Sequence, residues 1–228
     1  MATRQLLAEL VAAYASQSGR AVAIESVGGV DAARRVQAGE TFDVVVLASD
    51  AIDKLAAAGH VLADSRVGLV RSPVAVAVRA GAALPDIGSE DALRHSVLAA
   101  RTLGYSTGPS GNHLLRLFER WGMADAVRER TVQAPPGVPV GALVARGEVE
   151  LGFQQLSELQ GLPGVAVAGT LPAGAAFITT FSAAIGATST QAAAARELLA
   201  FLASPAADAA VRRHGMEPAR ADATSETP

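Results

Sequence analysis

The sequence has 228 residues, of which 50% are hydrophobic and 18% are charged, and this composition is typical of a globular protein with a substantial core. A net charge of −3 and an aromatic content of 4% argue against a nucleic-acid partner, which would require a basic face and stacking platforms. The chain has no cysteine, so disulfides and zinc–thiolate sites are excluded. No metal or cofactor is predicted, because the four histidines are scattered and lack ligand spacing.

The first part of the chain alternates helical and strand patterns. Apolar residues at helical spacing predict an amphipathic helix at the start, with Thr3 as its N-cap. The run over 42–48 is continuously apolar, as in a parallel strand that is buried on both faces. This alternation predicts an α/β fold with right-handed crossovers. The predicted elements are helices over 3–17, 30–38 and 49–58 and strands over 22–27 and 42–48.

Two β-rich segments, 66–80 and 177–185, flank a second α/β run. We therefore expect two lobes, with the chain passing from one to the other twice. A ligand cleft is expected where helix N-termini and strand ends meet. Lobe I is predicted to comprise 1–78 and 183–218, lobe II is predicted to comprise 79–182, and the polar tail 219–228 is predicted to be disordered. Within lobe II the predicted elements are helices over 89–97, 112–121 and 139–146 and strands over 102–105, 131–133, 150–154 and 165–168. Alanine-rich helices are predicted over 190–203 and 205–214.

The turn between the strand 102–105 and the helix 112–121 is rich in hydroxyl groups and glycine. Unpaired amides in the first helical turn and the positive end of the helix dipole make such a turn a site for an anion. The alternative is an ordinary helix start with Ser110 as N-cap, and the stretch alone leaves both readings open. The predicted ligand-binding residues of this turn are Ser106, Thr107, Ser110 and Gly111.

Other predicted loops share this small and mostly uncharged character. Ser49 follows the strand 42–48, Gly137 and Val138 precede a helix, and Gln155 follows Gln154 at a strand end. Because successive side chains of a strand point to opposite faces, only one of the two glutamines is expected to face the site. Such loops bind an anion through neutral dipoles.

Three segments carry a resemblance to a known family: Phe42–Asp50, Ala142–Phe153, and Ala194–Pro205 with Gly215–Pro218. In this order and spacing, the chain resembles the molybdate-binding type of periplasmic solute-binding proteins of ABC importers, up to about residue 218. The resemblance implies a two-lobed type II periplasmic-binding-protein-like fold and a small anionic ligand such as a molybdate-like oxyanion or a polycarboxylate. It also implies a monomer in the periplasm whose partners are the membrane subunits of the importer.

The resemblance also implies roles for individual residues. Ser49 matches the serine of the family's second loop, Ser110 matches the helix-start position, and Gly137 or Val138 matches the backbone donor of the third loop. Gln155 stands where the family has a tyrosine, as in a branch similar to aconitate isomerase. An amide offers both donors and an acceptor, so we expect an organic polycarboxylate to be preferred over molybdate.

Two functions therefore stay open: a solute-binding protein, and an isomerase of a tricarboxylic acid. An isomerase needs a positioned proton carrier, for which His113 is the first candidate, although it is also consistent with a solvent-facing helix residue. Further candidates are Glu158, Tyr105 and Glu25. Arginines that might pair with ligand carboxylates are Arg71, Arg79 and Arg101.

The start of the chain departs from the family pattern. The family's first strand and first serine loop would lie before residue 3, and Met1–Thr3 looks like the end of that loop. The chain as given carries no signal-peptide pattern. We therefore expect the natural chain to begin upstream of Met1, with an apolar strand and an export signal.

Overall fold

The computed structural model describes residues 1–135 and 137–220. The strands are β1 Val44–Ala48, β2 Val67–Arg79, β3 Leu103–Tyr105, β4 Thr131–Gln133, β5 Leu151–Gln155, β6 Val165–Thr170, β7 Ile178–Ile185 and β8 Glu217–Pro218. The helices are α1 Arg4–Ser18, α2 Gly29–Gln37, α3 Ser49–Ala57, α4 Glu90–Ala99, α5 Pro109–Arg120, α6 Ala124–Val127, α7 Val140–Arg146, α8 Leu156–Leu159, α9 Ala192–Leu202 and α10 Asp208–Arg213. None of the described helices is both long enough and apolar enough to cross a bilayer.

The chain divides into two compact units. The first unit contains residues 3–71 and the described chain from Thr180 onward, and the second unit contains Ser72–Thr179. The chain passes between them within β2 and β7, and the predicted boundaries after residues 78 and 182 lie in these same two strands. The assignment of these units as lobes of a binding protein stays a prediction.

The strands are connected in a single hydrogen-bonded order, β1-β7-β2-β5-β3-β4, with β6 and β8 also paired to β2. Strand β2 has 13 residues, of which Val67–Arg71 belong to the first unit and Ser72–Arg79 to the second. The β-rich segment 66–80 thus forms one continuous strand, which accommodates Pro73.

In the first unit, β1 pairs with β7 in antiparallel orientation, and β8 pairs with the first half of β2. One apolar cluster packs α1, α9 and α10 together through Leu10, Leu199 and Val211. A second cluster packs α2 and α3 against β1, with Ile52 at its centre.

In the second unit, β3 is parallel to both β4 and β5. Strand β2 pairs with β5 and with β6, in each case in antiparallel orientation. Helices α4 and α5 cover one face of this sheet through a cluster that includes Leu93, Phe118 and Phe153. Helix α7 covers the other face at close range, because a Cβ atom at Gly152 would lie 2.5 Å from Val144 Cγ2. We call the two faces of this sheet the α5 face and the α7 face.

Two strand predictions for the first unit are wrong. Residues 22–27, all of which are described, form no strand, and Ile24 is 43% exposed. An apolar pattern forms a strand only where a neighbour supplies backbone partners, and this segment has none in the described chain. The other error concerns β1, which is an antiparallel neighbour of β7 and not a parallel strand.

Helix boundaries also differ from the predictions. Helix α5 begins at Pro109, so its N-cap is Gly108 and Ser110 lies inside the first turn. Proline favours this first helical position because its fixed φ suits a helix and its missing N–H would have no partner there. The last predicted helix, 205–214, is a 3₁₀ turn over Pro205–Ala207 followed by α10.

The start of the predicted disordered tail is ordered. The Ala219 amide donates to the Leu69 carbonyl at 3.0 Å, and Arg220 donates to the Ala203 carbonyl at 2.8 Å. The first of these bonds continues the pairing of β8 with β2, and the second joins the chain to the end of α9. Residues 221–228 lie outside the described residues.

Candidate functional site

The carboxyl ends of three parallel strands meet at one edge of the second unit. Tyr105, the last residue of β3, pairs with Gln133 of β4 and with Phe153 of β5. The segments that follow these strands therefore leave the sheet side by side, as expected where α/β proteins place a ligand. We call this edge the carboxyl edge. It brings together the predicted residues of the Ser106–Gly111 turn, of the loop before α7 and of the end of β5.

The turn after β3 presents neutral donors on the α5 side. Ser106 Oγ lies 3.0 Å from Ser110 Oγ and accepts the Gly108 amide at 3.3 Å. Ser110 is 2% exposed, whereas Thr107 is exposed. In the first turn of α5 the amides of Gly111 and Asn112 both donate to the Gly108 carbonyl. The donors that this turn can offer an anion are thus the hydroxyls of Ser106 and Ser110 and the Ser110 amide.

Gly111 has a packing role within this turn. A Cβ atom at this position would lie 1.8 Å from the Ser106 carbonyl oxygen and 2.9 Å from Tyr105 Cδ2. The absence of a side chain allows α5 to begin directly against the preceding turn. Packing alone therefore explains glycine at this position, and its predicted contact with a ligand stays a prediction.

The two adjacent glutamines point to opposite faces of β5. The Gln154 carbonyl oxygen Oε1 accepts the Gly141 amide at 3.3 Å, which places this side chain on the α7 face. Gln155 must then lie on the α5 face, where Phe153, two residues earlier, packs with Phe118 of α5. Gln155 and the Ser106–Ser110 turn therefore share one face of the sheet at the carboxyl edge.

The side chain of Gln155 is buried, and only one of its two polar atoms has a hydrogen-bond partner. Its Nε2 donates to Thr179 Oγ1 at 2.6 Å, and the two residues are 3% and 5% exposed. Its Oε1 is buried with no hydrogen-bond partner in the described part of the chain, and the same is true of the Ser72 hydroxyl. Buried polar groups normally have partners, so unpaired ones at a strand end indicate a position that a ligand can complete.

The loop before α7 contributes backbone to the same edge. Gly137 has a φ of 78°, a left-handed conformation that favours glycine, and Pro136 lies outside the described residues. The Val138 amide donates to the Pro135 carbonyl at 3.0 Å. Val138 is thus already engaged within its own loop, and it could serve a ligand only by exchanging this bond.

Ser49 belongs to the first unit, where it begins α3 directly after β1. Its hydroxyl donates to the Thr180 carbonyl at 3.1 Å and lies 2.7 Å from the hydroxyl of the fully buried Ser182. The position after a strand and at a helix start was predicted, but the partnership with Ser182 was not. Ser182 can donate to Ser49 and so leave the Ser49 proton for another acceptor.

With this geometry established, the chain was compared with known proteins. Residues 1–217 match a family described as bacterial extracellular solute-binding protein. An aconitate isomerase from Pseudomonas sp. is 43% identical over 185 residues, which are 81% of this chain and 70% of that protein. The chain belongs to the bacterial extracellular solute-binding protein family.

Solved structures agree on the fold. A periplasmic molybdate-binding protein from Azotobacter vinelandii superposes with a TM-score of 0.79 at 22% identity, covering 94% of each chain. A periplasmic binding protein from A. tumefaciens R10, solved with agropinic acid, gives a TM-score of 0.69 at 14% identity, covering 96% of this chain and 80% of the other. At these identities the likeness establishes the fold alone, and the predicted α/β periplasmic-binding-protein fold is confirmed.

The side chain of His113 in this solute-binding protein contacts other residues of the second unit. Its Nε2 lies 3.2 Å from the Ala175 carbonyl, and its ring stacks on Phe177 with 4.3 Å between centroids. The residue is half-buried, so the solvent-facing alternative is wrong. Burial lowers the pKa of His113 below its usual 6.5, against the hydrogen bond to Ala175, and Arg116 and Arg120 lower it further. At neutral pH the ring is therefore uncharged.

The arginines named as carboxylate partners are placed elsewhere. Arg101 precedes β3 and pairs with Glu150, which precedes β5, so both lie at the edge opposite to the carboxyl edge. Arg79 ends β2, which runs antiparallel to β5, and it therefore lies at that opposite edge too. Arg71 belongs to the first unit and faces Glu217 at 3.8 Å.

Among the carboxylates, Glu25 and Glu158 differ sharply. Glu25 is exposed in the first unit, and its hydrogen bonds to Arg35 lower its pKa, as expected for a surface ion pair. Glu158 is half-buried in α8, one turn beyond Gln155. Burial raises the pKa of Glu158, against the positive charge of the amino terminus. Glu158 therefore has the environment of a proton carrier, whereas Glu25 does not.

Sequence reasoning missed Thr179, Ser72 and Ser182. Each is a hydroxyl within a strand that is otherwise largely apolar, and each is buried. A polar residue inside a buried strand was the available signal, but its partner cannot be read from the sequence because the contacts join distant segments. The described residues contain no group of histidine and acidic side chains arranged for a metal ion.

We predict that protonation of His113 destabilises the protein. The folded-state pKa is below the unfolded-state value, so between the two values the unfolded chain binds more protons and the free energy of unfolding decreases as the pH falls. Urea denaturation at about pH 7.5 and about pH 5.5 should show this loss, which spans the ordinary titration range of histidine. His113→Gln should reduce the difference between the two conditions. An NMR titration that places the His113 pKa at or above 6.5 would contradict the prediction.

Proposed function

We propose that this protein binds a small organic polycarboxylate, as the solute-binding component of an ABC importer. The observation that supports this best is the group of neutral polar side chains at the carboxyl edge on the α5 side. Its members are the half-buried Ser106 and the buried Ser110, Gln155 and Thr179. A desolvated anion is held well by such donors, because hydrogen bonds from neutral groups to a charged acceptor are stronger than those between neutral groups.

The choice of a carboxylate over a metal oxyanion rests on Gln155. A tyrosine hydroxyl at this position would offer a single donor proton, whereas a primary amide offers two N–H donors and an acceptor. The two N–H bonds point in different directions, so they can donate to two different carboxylate groups of one ligand. The relative with 43% identity is an aconitate isomerase, and aconitate is a tricarboxylate. Both lines of support favour a ligand with several carboxylates.

Residues outside this group complete the proposed ligand set. Ser49 would donate its hydroxyl proton to the ligand while Ser182 donates to Ser49, which replaces the present bond to the Thr180 carbonyl. We also propose contacts from Thr107, Gly111, Gly137 and Val138, which lie in the same turns. The exposed Thr107 can offer its hydroxyl, whereas the Gly111 and Val138 amides would first have to give up their present hydrogen bonds to Gly108 and Pro135. We further propose a periplasmic location and docking to importer membrane subunits, in line with a family whose members are extracellular binding proteins.

The proposed ligand preference can be measured by isothermal titration calorimetry with cis-aconitate, trans-aconitate, citrate and molybdate. We expect at least one tricarboxylate to bind more tightly than molybdate, because the amide of Gln155 replaces the family's tyrosine. Tighter binding of molybdate than of any tricarboxylate would contradict the preference, and the absence of binding by all four would contradict the proposed function.

Ser110→Ala should weaken ligand binding by about one to two orders of magnitude, because a hydrogen bond to a charged group contributes about 1.5–3 kcal/mol. Ser96→Ala is a matched control in the same unit, since Ser96 donates to the Asp86 carbonyl on the exposed side of α4. The control should bind as the wild type does. Equal affinity of Ser110→Ala and wild type would remove Ser110 from the site.

A second function, isomerisation of a tricarboxylate, is favoured by the 43% identity to an aconitate isomerase and by the environment of Glu158. In such a reaction a base removes a proton from the methylene group next to the double bond. The double bond then shifts by one carbon, and the same proton is returned to the carbon that was vinylic. Glu158 is the better candidate for this carrier than His113, whose Nε2 is committed to Ala175.

This second function predicts turnover of cis-aconitate to trans-aconitate, measured by NMR or by chromatography. Glu158→Gln keeps the shape of the side chain and removes the titrating proton, so it should abolish turnover while cis-aconitate still binds. His113→Gln serves as the comparison and should retain turnover. If the wild type binds cis-aconitate without converting it, the isomerase candidate is excluded and the binding function stands.

A further inference from the structure

Thr179 and Gln155 form a buried pair whose hydrogen bond leaves one polar atom unused. The amide Nε2 donates to Thr179 Oγ1 at 2.6 Å, while Oε1 has no partner among the described residues. Both side chains are more than nine-tenths buried. The unused atom is therefore withdrawn from bulk solvent, which raises the free energy of this arrangement until a donor reaches it.

A second unpaired group lies on the same face. Val74 of β2 is opposite Gln155 of β5, so their side chains share a face of the sheet. Ser72, two residues before Val74, is on that face as well, is fully buried, and its hydroxyl also lacks a partner within the described chain. The unsatisfied oxygen of Gln155 is thus part of a polar patch and is not an isolated defect.

The present orientation of the amide does not suit an anion. Its unused atom is a carbonyl oxygen, which repels a carboxylate, while one of its two N–H groups is committed to Thr179. A threonine hydroxyl can either accept or donate a hydrogen bond. A rotation of the amide by 180° therefore preserves the contact, with the Thr179 O–H donating to Oε1. It also moves Nε2, with its two N–H groups, to the position that Oε1 now occupies.

We propose that Thr179 is a positioning residue that determines specificity: on anion binding its hydroxyl changes from acceptor to donor and holds the Gln155 amide with both N–H groups towards the ligand. This inference rests on the proposed anion-binding function. It explains why a hydroxyl is buried beside Gln155 within an apolar strand. A ligand that offers a proton donor would instead keep the amide in its present orientation.

The test compares cis-aconitate affinity, measured by isothermal titration calorimetry, in Thr179→Val and Thr179→Ser. Valine keeps the shape of threonine and removes the hydroxyl, so the affinity should fall about tenfold. Serine keeps the hydroxyl and should restore the affinity to within about threefold of the wild type. The control is Thr131→Val, which also removes a bonded hydroxyl from the second unit but lies at the start of β4, away from the carboxyl edge.

A second measurement uses the wild type alone, so it does not depend on whether the valine variant folds. Nuclear Overhauser effects between the Gln155 amide protons and the Thr179 methyl group should be strong in the free protein. They should weaken when cis-aconitate is added to saturation, because Nε2 turns away from Thr179. Unchanged effects at saturation would show that the amide keeps one orientation and would overturn the inference.

The outcomes separate this inference from the proposed function. If the wild type binds cis-aconitate and Thr179→Val binds equally well, the inference is wrong and the function stands. An equal loss in Thr179→Val and Thr131→Val would assign the effect to general destabilisation and would also overturn it. If the wild type binds none of cis-aconitate, trans-aconitate, citrate and molybdate, the proposed function fails, and the inference fails with it.

Discussion

The parallel pairing of β3 with β4 and β5 is the constraint on which the candidate site depends. Parallel strands cannot be joined by tight hairpins, so the chain must cross over through helices on the two faces of the sheet. Here α5 covers one face and α7 covers the other, and both start at the carboxyl edge. The close approach of α7 requires glycine at 104 and 152, where a Cβ atom would collide with valine side chains. Polar groups from three segments are thereby collected at one edge without long loops.

The electrostatics of the second unit follow from the same arrangement. Arg79 and Arg101 lie at the edge where β5 begins, and the residues at the carboxyl edge on the α5 side are serine, glutamine and threonine. An anion bound at this edge, as proposed, would be stabilised by oriented dipoles and hydroxyl groups at close contact and not by long-range attraction to a cation. Neutral donors of this kind discriminate by geometry, since a donor that finds no acceptor loses its bond to water without compensation.

Sequence reasoning succeeded where the signal was local. The helical spacing of Leu114, Leu117 and Phe118 predicted α5, and the hydroxyl-rich turn before it was recognised as a unit. It failed where a partner decides the outcome: residues 22–27 have a strand pattern but no neighbour, and β1 is antiparallel because β7, from the far end of the chain, pairs with it. The contact of Gln155 with Thr179 spans 24 residues and two strands, so no local pattern could reveal it. Helix α5 begins at Pro109 and not at the predicted residue 112, because proline favours the first helical position.

The adjacent pair Gln154 and Gln155 connects the two functional readings. Strand alternation sends Gln154 to the α7 face, where it accepts the Gly141 amide, and sends Gln155 to the α5 face beside Thr179. The chain then continues into α8, where burial raises the pKa of Glu158. In the proposed functions, anion binding needs only neutral donors such as Gln155, whereas proton transfer also needs a titrating group such as Glu158. The half-buried carboxyl group of Glu158 therefore distinguishes the isomerase proposal from the binding proposal.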